Sequence, residues 1–287
     1  MIVLFKKDLN HLLGGIRGCA SIALLLLICG AYTFFYNMLM GFSDFSYVLS
    51  ASFPALVLTL PILSATAFSC EGQGAMGHLY SLGITPTRVL LGKYLALLTV
   101  FAIPTAILAL YPLLLSFFGD VEMGQTYFAI FGYFLLGASL LAVTLFFSAL
   151  FRSAWVAWGV STGSLLFLYL SQLFITSLPA AAWFSFVVIE VVLLAVGVLL
   201  WLWLREVAVT AIYAILPVGV GVLFLLFSNQ FASLVPTMLS KINPFARYSG
   251  FVYGRFDLEG ILFYLSVTAL FLVLTLLLLA YRRDDEI

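Results

Sequence analysis

The chain has 287 residues, of which 64% are hydrophobic and 8% charged, with twelve basic and twelve acidic side chains that cancel to a formal net charge of zero. A soluble domain carries about 25% charged residues, so these charges are too few to cover a water-soluble globule and lipid must contact most of the exterior. A net charge of zero excludes a broad basic surface for nucleic acid. The three cysteines (Cys19, Cys29, Cys70) and two histidines (His11, His78) stand apart without ligand spacing, so no metal site is expected.

The first predicted element is residues 1–15. Ile2, Phe5, Leu9, Leu12 and Leu13 recur at helical spacing, with Lys6, Lys7 and Asp8 off that stripe. This predicts an amphipathic helix lying in the membrane interface, with Lys6 and Lys7 at the headgroups. Gly14-Gly15 then frees the backbone to turn into the first span. The run Ala20–Met40 is full length, unlike the short apolar core of a cleaved signal, and is expected to stay as that span.

A hydrocarbon core of ~30 Å needs about 20 apolar residues as a helix. Eight stretches meet that length, at roughly 19–40, 51–69, 91–117, 126–150, 154–176, 181–204, 207–229 and 260–281. The expectation is an all-α polytopic membrane protein of about eight transmembrane helices. Six is the alternative, if the 181–229 hairpin, whose linker is only Arg205-Glu206, does not span. With the N-terminus inside, Lys6, Lys7, Arg17, Arg88, Lys93, Arg152, Arg205, Arg282 and Arg283 all fall on the cytoplasmic side. Only Lys241, Arg247 and Arg255 fall outside. This is the bias of the positive-inside rule, and it places both termini in the cytoplasm.

Inside the spans, Gly132, Gly137, Gly159 and Gly163 predict close helix packing. Glu190, about nine residues into the sixth span, is an intramembrane carboxylate. It reads either as a substrate, proton or signalling contact or as a protonated acid hydrogen-bonded to a neighbouring helix. Segment 230–259 holds Pro236 and Pro244 with Phe245, Tyr248, Phe251, Tyr253 and Phe256. It suits a partly inserted extracytoplasmic cap or a plain aromatic belt. No repeat, low-complexity tract or linker interrupts residues 1–287, which read as one transmembrane domain.

Residues 70–93 are too polar and glycine-rich to span. Met76, Leu79 and Tyr80 make a short apolar stripe, and Gly83 is placed to end a two-turn helix. Thr85-Pro86 reads as an N-cap followed by proline at the first helical position. Within this segment, Glu71-Gly72-Gln73-Gly74-Ala75, Leu79-Tyr80-Ser81-Leu82-Gly83-Ile84-Thr85 and Val89-Leu90-Leu91-Gly92-Lys93-Tyr94 follow one another. This stretch resembles one in bacterial ABC transporter permeases of the second exporter class, in the gliding-motility and copper-enzyme-maturation branch. That family reads Glu-x-x-Gly-Thr, leucines, a Pro-Val-Ser-like turn, then Gly-Lys. Ser148-Ala149-Leu150-Phe151 echoes the end of the family's fourth span, and Phe251, Gly254, Asp257 and Leu258 echo its outer segment. The resemblance covers about 1–176 and 240–283. Ala75 stands where the family has threonine and Gly83 where it has proline.

The resemblance implies a permease subunit in a bacterial inner membrane, paired with a second permease subunit as a homo- or heterodimer. Cytoplasmic ABC ATPase subunits would dock beneath it and bind the ATP and magnesium. The segment 71–90 would be the cytoplasmic coupling helix, with Glu71 anchoring it and Met76, Leu79 and Tyr80 docking on the ATPase. Arg88 and Lys93 would face phospholipid headgroups. This chain has no Gly-x-x-x-x-Gly-Lys-Ser/Thr loop, so it is expected to be neither an ATPase nor another enzyme. The alternatives are an ion- or proton-coupled secondary carrier, for which only Glu190 speaks, and a membrane enzyme, for which Asp120 and Glu122 lack a histidine.

Overall fold

The computed structural model describes residues 2–42, 44–69, 85–117, 121–175, 181–204, 217, 219–221, 223–224, 226, 228–232, 234–254 and 257–284. The described residues are all-helical, with no strand among them. Five helices are long and apolar enough to cross a membrane, or six if one bent pair is a single span. The protein is thus an all-α, polytopic, membrane-embedded chain.

Two compact units divide the chain where the sequence shows no boundary. One holds 1–169 with 247–287, and the other holds 170–246. In the first unit, α1 (Ile2–Gly14) is followed by α2 (Ile16–Thr33), which runs on as a π-helix over Phe34–Leu39. The expected turn between α1 and α2 is present, and Gly15 and Gly18 are the glycines it requires. A Cβ on either would strike the carbonyls of His11 or Leu12, whereas one on Gly14 meets nothing. Gly41, at φ +73°, lets the chain leave the π-helix, and Asp44 caps the next helix by accepting from the Ser46 N–H at 2.8 Å.

The second apolar stretch begins earlier than its expected start at 51. It comprises α3 (Phe45–Ala51) and α4 (Phe53–Ser64), bent by 53° at Ser52. Pro54 supplies the reason, because its ring removes an N–H and clashes with the carbonyl four residues back. The break lies wholly inside the protein, since Ser52 is 0% exposed. Its backbone is nonetheless satisfied: the Ser52 N–H donates to Val48 O at 2.9 Å, and Ala55 N–H donates to Ser52 O at 2.8 Å. Irregular backbone at membrane depth is tolerated only under such conditions.

Helix α5 (Pro86–Leu108) continues through α6 (Tyr111–Leu115) as one candidate span, and α7 (Met123–Leu150) and α8 (Ala154–Ile175) follow. Helix α7 is the centre of the first unit. Of its most apolar window 72% is buried, and it touches α3, α4, α5 and the last helix. Gly137 of α7 lies against the Phe101 ring of α5. Among apolar helices in lipid there is no hydrophobic gain from association, so small residues that admit a partner ring carry the packing. Gly159 and Gly163 of α8, expected to do the same, meet nothing within 4 Å.

The second unit contains most of the last turns of α8, α9 (Ala182–Leu204), α10 (Ser228–Phe231) and α11 (Leu234–Ile242). Phe186 stacks on Phe224 with centroids 4.5 Å apart, and Asn243 Nδ2 donates to Ser171 Oγ at 2.9 Å. The linker Arg205-Glu206 lies outside the described residues. Helix α12 (Pro244–Arg247) leads into α13 (Ser249–Val252) and the long α14 (Leu258–Asp284).

The expected cap over 230–259 is a run of short helices, but its aromatics do not form a lipid-facing belt. Phe245, Tyr248 and Phe251 are buried, and only Tyr253 among the described rings is exposed. Phe251 sits against Gly132 of α7 and Gly260 of α14, and Tyr248 OH donates to Ala129 O at 3.0 Å. Burial, with smaller contributions from Tyr264 and Asp44, pushes the Tyr248 phenol well above its ordinary pKa, so it remains a neutral donor.

Candidate functional site

The residues expected to couple, Glu71, Met76, Leu79 and Tyr80, lie outside the described residues, so the site is built from what holds its two ends. On the incoming side, residues 65–69 form a turn after α4 whose backbone groups need partners. Ser148, near the end of α7, supplies two: its hydroxyl donates to Ala65 O at 3.0 Å and accepts from the Phe68 N–H at 3.1 Å. Ser148 is fully buried. On the outgoing side, α5 starts at Pro86 as expected, with Thr85 extended before it. The Thr85 side chain makes no capping bond; the Thr85 carbonyl instead accepts from Arg88 N–H at 3.0 Å.

Arg88 is exposed. Lys93 is not. The expectation aimed it at headgroups, but the structure turns it inward, where only 6% of the residue is exposed. Its ammonium stands 3.9 Å from Asp8 Oδ2 of α1 and 5.3 Å from the centre of the Phe68 ring. A carboxylate and a ring face repay part of the cost of removing a lysine from water. The packing of α1 on α5 brings these groups together. Lys6 and Lys7 remain exposed on α1.

These contacts collect basic residues at one end of the first unit. Lys6, Lys7, Arg17, Arg88, Lys93 and Arg152 lie there, and Arg282 closes α7 by donating to Leu150 O at 2.8 Å. A cavity of about 260 Å³ opens at the same end, lined by Lys7, Asp8, His11, Leu12, Arg17, Thr66, Ala67, Lys93 and Leu97.

Deeper in the bundle is a small polar cluster. Ser52 Oγ donates to Leu49 O at 2.8 Å and to Tyr133 OH at 3.3 Å, and Cys29 Sγ lies 4.0 Å from the same phenol. All three residues are buried, which fits a packing role at the α3–α4 bend. Glu190 is half-buried on α9, in the second unit. Among the described residues no three His, Cys, Asp or Glu side chains are placed to hold a metal ion.

Sequence reasoning missed the parts played by Asp8 and Ser148. Asp8 stands 85 positions before its lysine, a separation over which no pattern signals a pair. Ser148 had a signal in the echo at the end of the fourth span, but nothing local says that its hydroxyl ties down residues 65–68.

Comparison with protein-family models, with curated proteins and with solved structures finds no match for this chain.

Proposed function

We propose that this chain is the membrane-spanning subunit of an ATP-driven ABC transporter, of exporter type, that hydrolyses nothing itself and works on separate cytoplasmic ATPase subunits. Two copies, or one copy and a related permease, would form the translocation path in a bacterial inner membrane. Both termini would be cytoplasmic, with the basic end of the first unit inside as the positive-inside rule requires. The helix Ala182–Leu204 and the apolar stretch 207–229 would complete eight spans.

The observation that carries the reading is the motif from Glu71 to Tyr94, between a turn tied to α7 through Ser148 and a helix that starts at Pro86. A short helix with an apolar stripe suits docking in a groove. Because both ends of the segment join packed helices, displacement of it would pass into α4 and α5. No comparable set of intramembrane charges supports a secondary carrier.

The test is co-expression with candidate ATPase subunits from the same cell and gentle detergent extraction. An ATPase is expected to remain bound. Leu79→Ala should weaken that association by about tenfold or more, as removal of a buried interface anchor does. Glu71→Ala should lower the ATPase rate of the complex while leaving the extracted permease folded. Crosslinking that puts residues 71–84 on the face opposite Lys93, or extraction of a chain with no ATPase and unaltered transport in ATP-free proteoliposomes, would overturn the reading.

A further inference from the structure

The cavity at the basic end is the most unusual feature of the described residues. Among the described residues, three cationic side chains, Lys7, Arg17 and Lys93, and the imidazole of His11 line it, against one carboxylate, Asp8. Asp8 already stands 3.9 Å from Lys93, and Lys7 and Arg17 are further positive charges among the described lining residues. The other lining residues include Leu12, Ala67 and Leu97, which give the cavity an apolar side.

Its depth is set by the spans. Arg17 is in the first turn of the span Ile16–Leu39, and Lys93 lies two turns, about 10 Å, into the span that starts at Pro86. In a helix that crosses a bilayer, the end turns are the ones that meet phosphate and glycerol rather than acyl chain. Amphipathic α1 supplies Lys7, Asp8, His11 and Leu12 and so forms one wall of the cavity. Basic pockets between membrane helices select anionic headgroups by charge, and their apolar side takes the start of the tail.

From this geometry we propose that the cavity is a binding site for the phosphate-bearing headgroup of an anionic membrane phospholipid, held by Lys7 and Arg17, with Lys93 engaged by Asp8 in the cavity wall. The inference does not depend on the transporter reading, since it uses only residues of the first unit and no ATPase. A bound lipid would bridge α1, α2 and α5 and would hold the amphipathic helix against the bundle.

The experiment uses the purified full chain, titrated with short-chain phosphatidylglycerol, short-chain phosphatidylcholine and inorganic phosphate, with binding read by native mass spectrometry and by thermal shift. Phosphatidylglycerol should bind and raise the melting temperature, and the other two should not. The double variant K7Q/R17Q should bind phosphatidylglycerol about thirtyfold more weakly, on the scale of two surface basic residues meeting anionic lipid. The double variant R152Q/K241Q removes the same charge from exposed positions that do not line the cavity, and it should bind as the parent does. Equal binding of the two lipids, unchanged binding by K7Q/R17Q, or an equal loss in R152Q/K241Q would each overturn the site. Binding of inorganic phosphate as strong as that of the lipid would overturn the assignment to lipid and leave a free-anion site.

Discussion

Helices α7 and α8 look alike as sequences, since both are long and apolar and both carry two glycines in their interior, Gly132 and Gly137 on α7 and Gly159 and Gly163 on α8, yet they sit in opposite surroundings. On α7 a methyl group at Gly132 would strike the Phe251 ring and one at Gly137 the Phe101 ring. On α8 the positions of Gly159 and Gly163 are open among the described residues, and Trp155 at its start is 82% exposed. The difference lies in the arriving partner. A glycine in an apolar helix marks close packing only where a large side chain from another element fills the space it leaves.

The comparison can be broken most directly at Gly137. Gly137→Leu should displace Phe101 and cost about 3 kcal/mol, the upper range for overpacking a filled core. Thermal unfolding in detergent measures it, and a variant as stable as the parent would mean that α5 and α7 are not packed as described. Ser148→Ala comes next. It strands the Phe68 N–H and the Ala65 carbonyl, and should cost about 1–2 kcal/mol while exposing residues 65–69 to faster hydrogen exchange. Tyr133→Phe removes one hydroxyl from the cluster at the α3–α4 bend. Ser52 keeps its bond to Leu49 O, so a loss of about 1 kcal/mol or less is expected in the same melting assay. The smallest effect belongs to α8, where Gly159→Ala should change stability by no more than about 0.5 kcal/mol. A drop several times larger would show that another helix or a second subunit covers that face, and α8 would then join α7 as a packed helix.

Several local signals were legible. Pro86 opens a helix where its sequence predicts one, and the turn after α1 occurs at Gly15, one of the two expected glycines, with Gly18 in place of Gly14 as the second that it requires. The stripe of α1 sets a helix that packs on α5. Each depends on chemistry within a few residues: a missing N–H, a missing Cβ, a repeat of 3.6. The bend at Ser52 was within reach through Pro54, but the apolar run hides it, because hydropathy continues unbroken across the bend.

Lys93 and Phe251 show the other kind of feature. Lys93 sits at the membrane end of an apolar helix, which by itself suits a headgroup contact; its inward turn follows from Asp8, which arrives only when α1 packs on α5. Phe251 belongs to an aromatic-rich segment of the sort that anchors at an interface. It is buried because Gly132 and Gly260 leave room for its ring between α7 and α14.

What the sequence determined alone was the solvent and the element type: with 8% charged residues the exterior must be lipid, and in lipid the backbone must satisfy itself as helices. What only the tertiary structure decided was which face of each helix meets protein and which is left open to lipid. Hydropathy cannot separate those faces, because a lipid tail and a leucine side chain are equally apolar and only shape, ring against glycine, distinguishes one neighbour from the other.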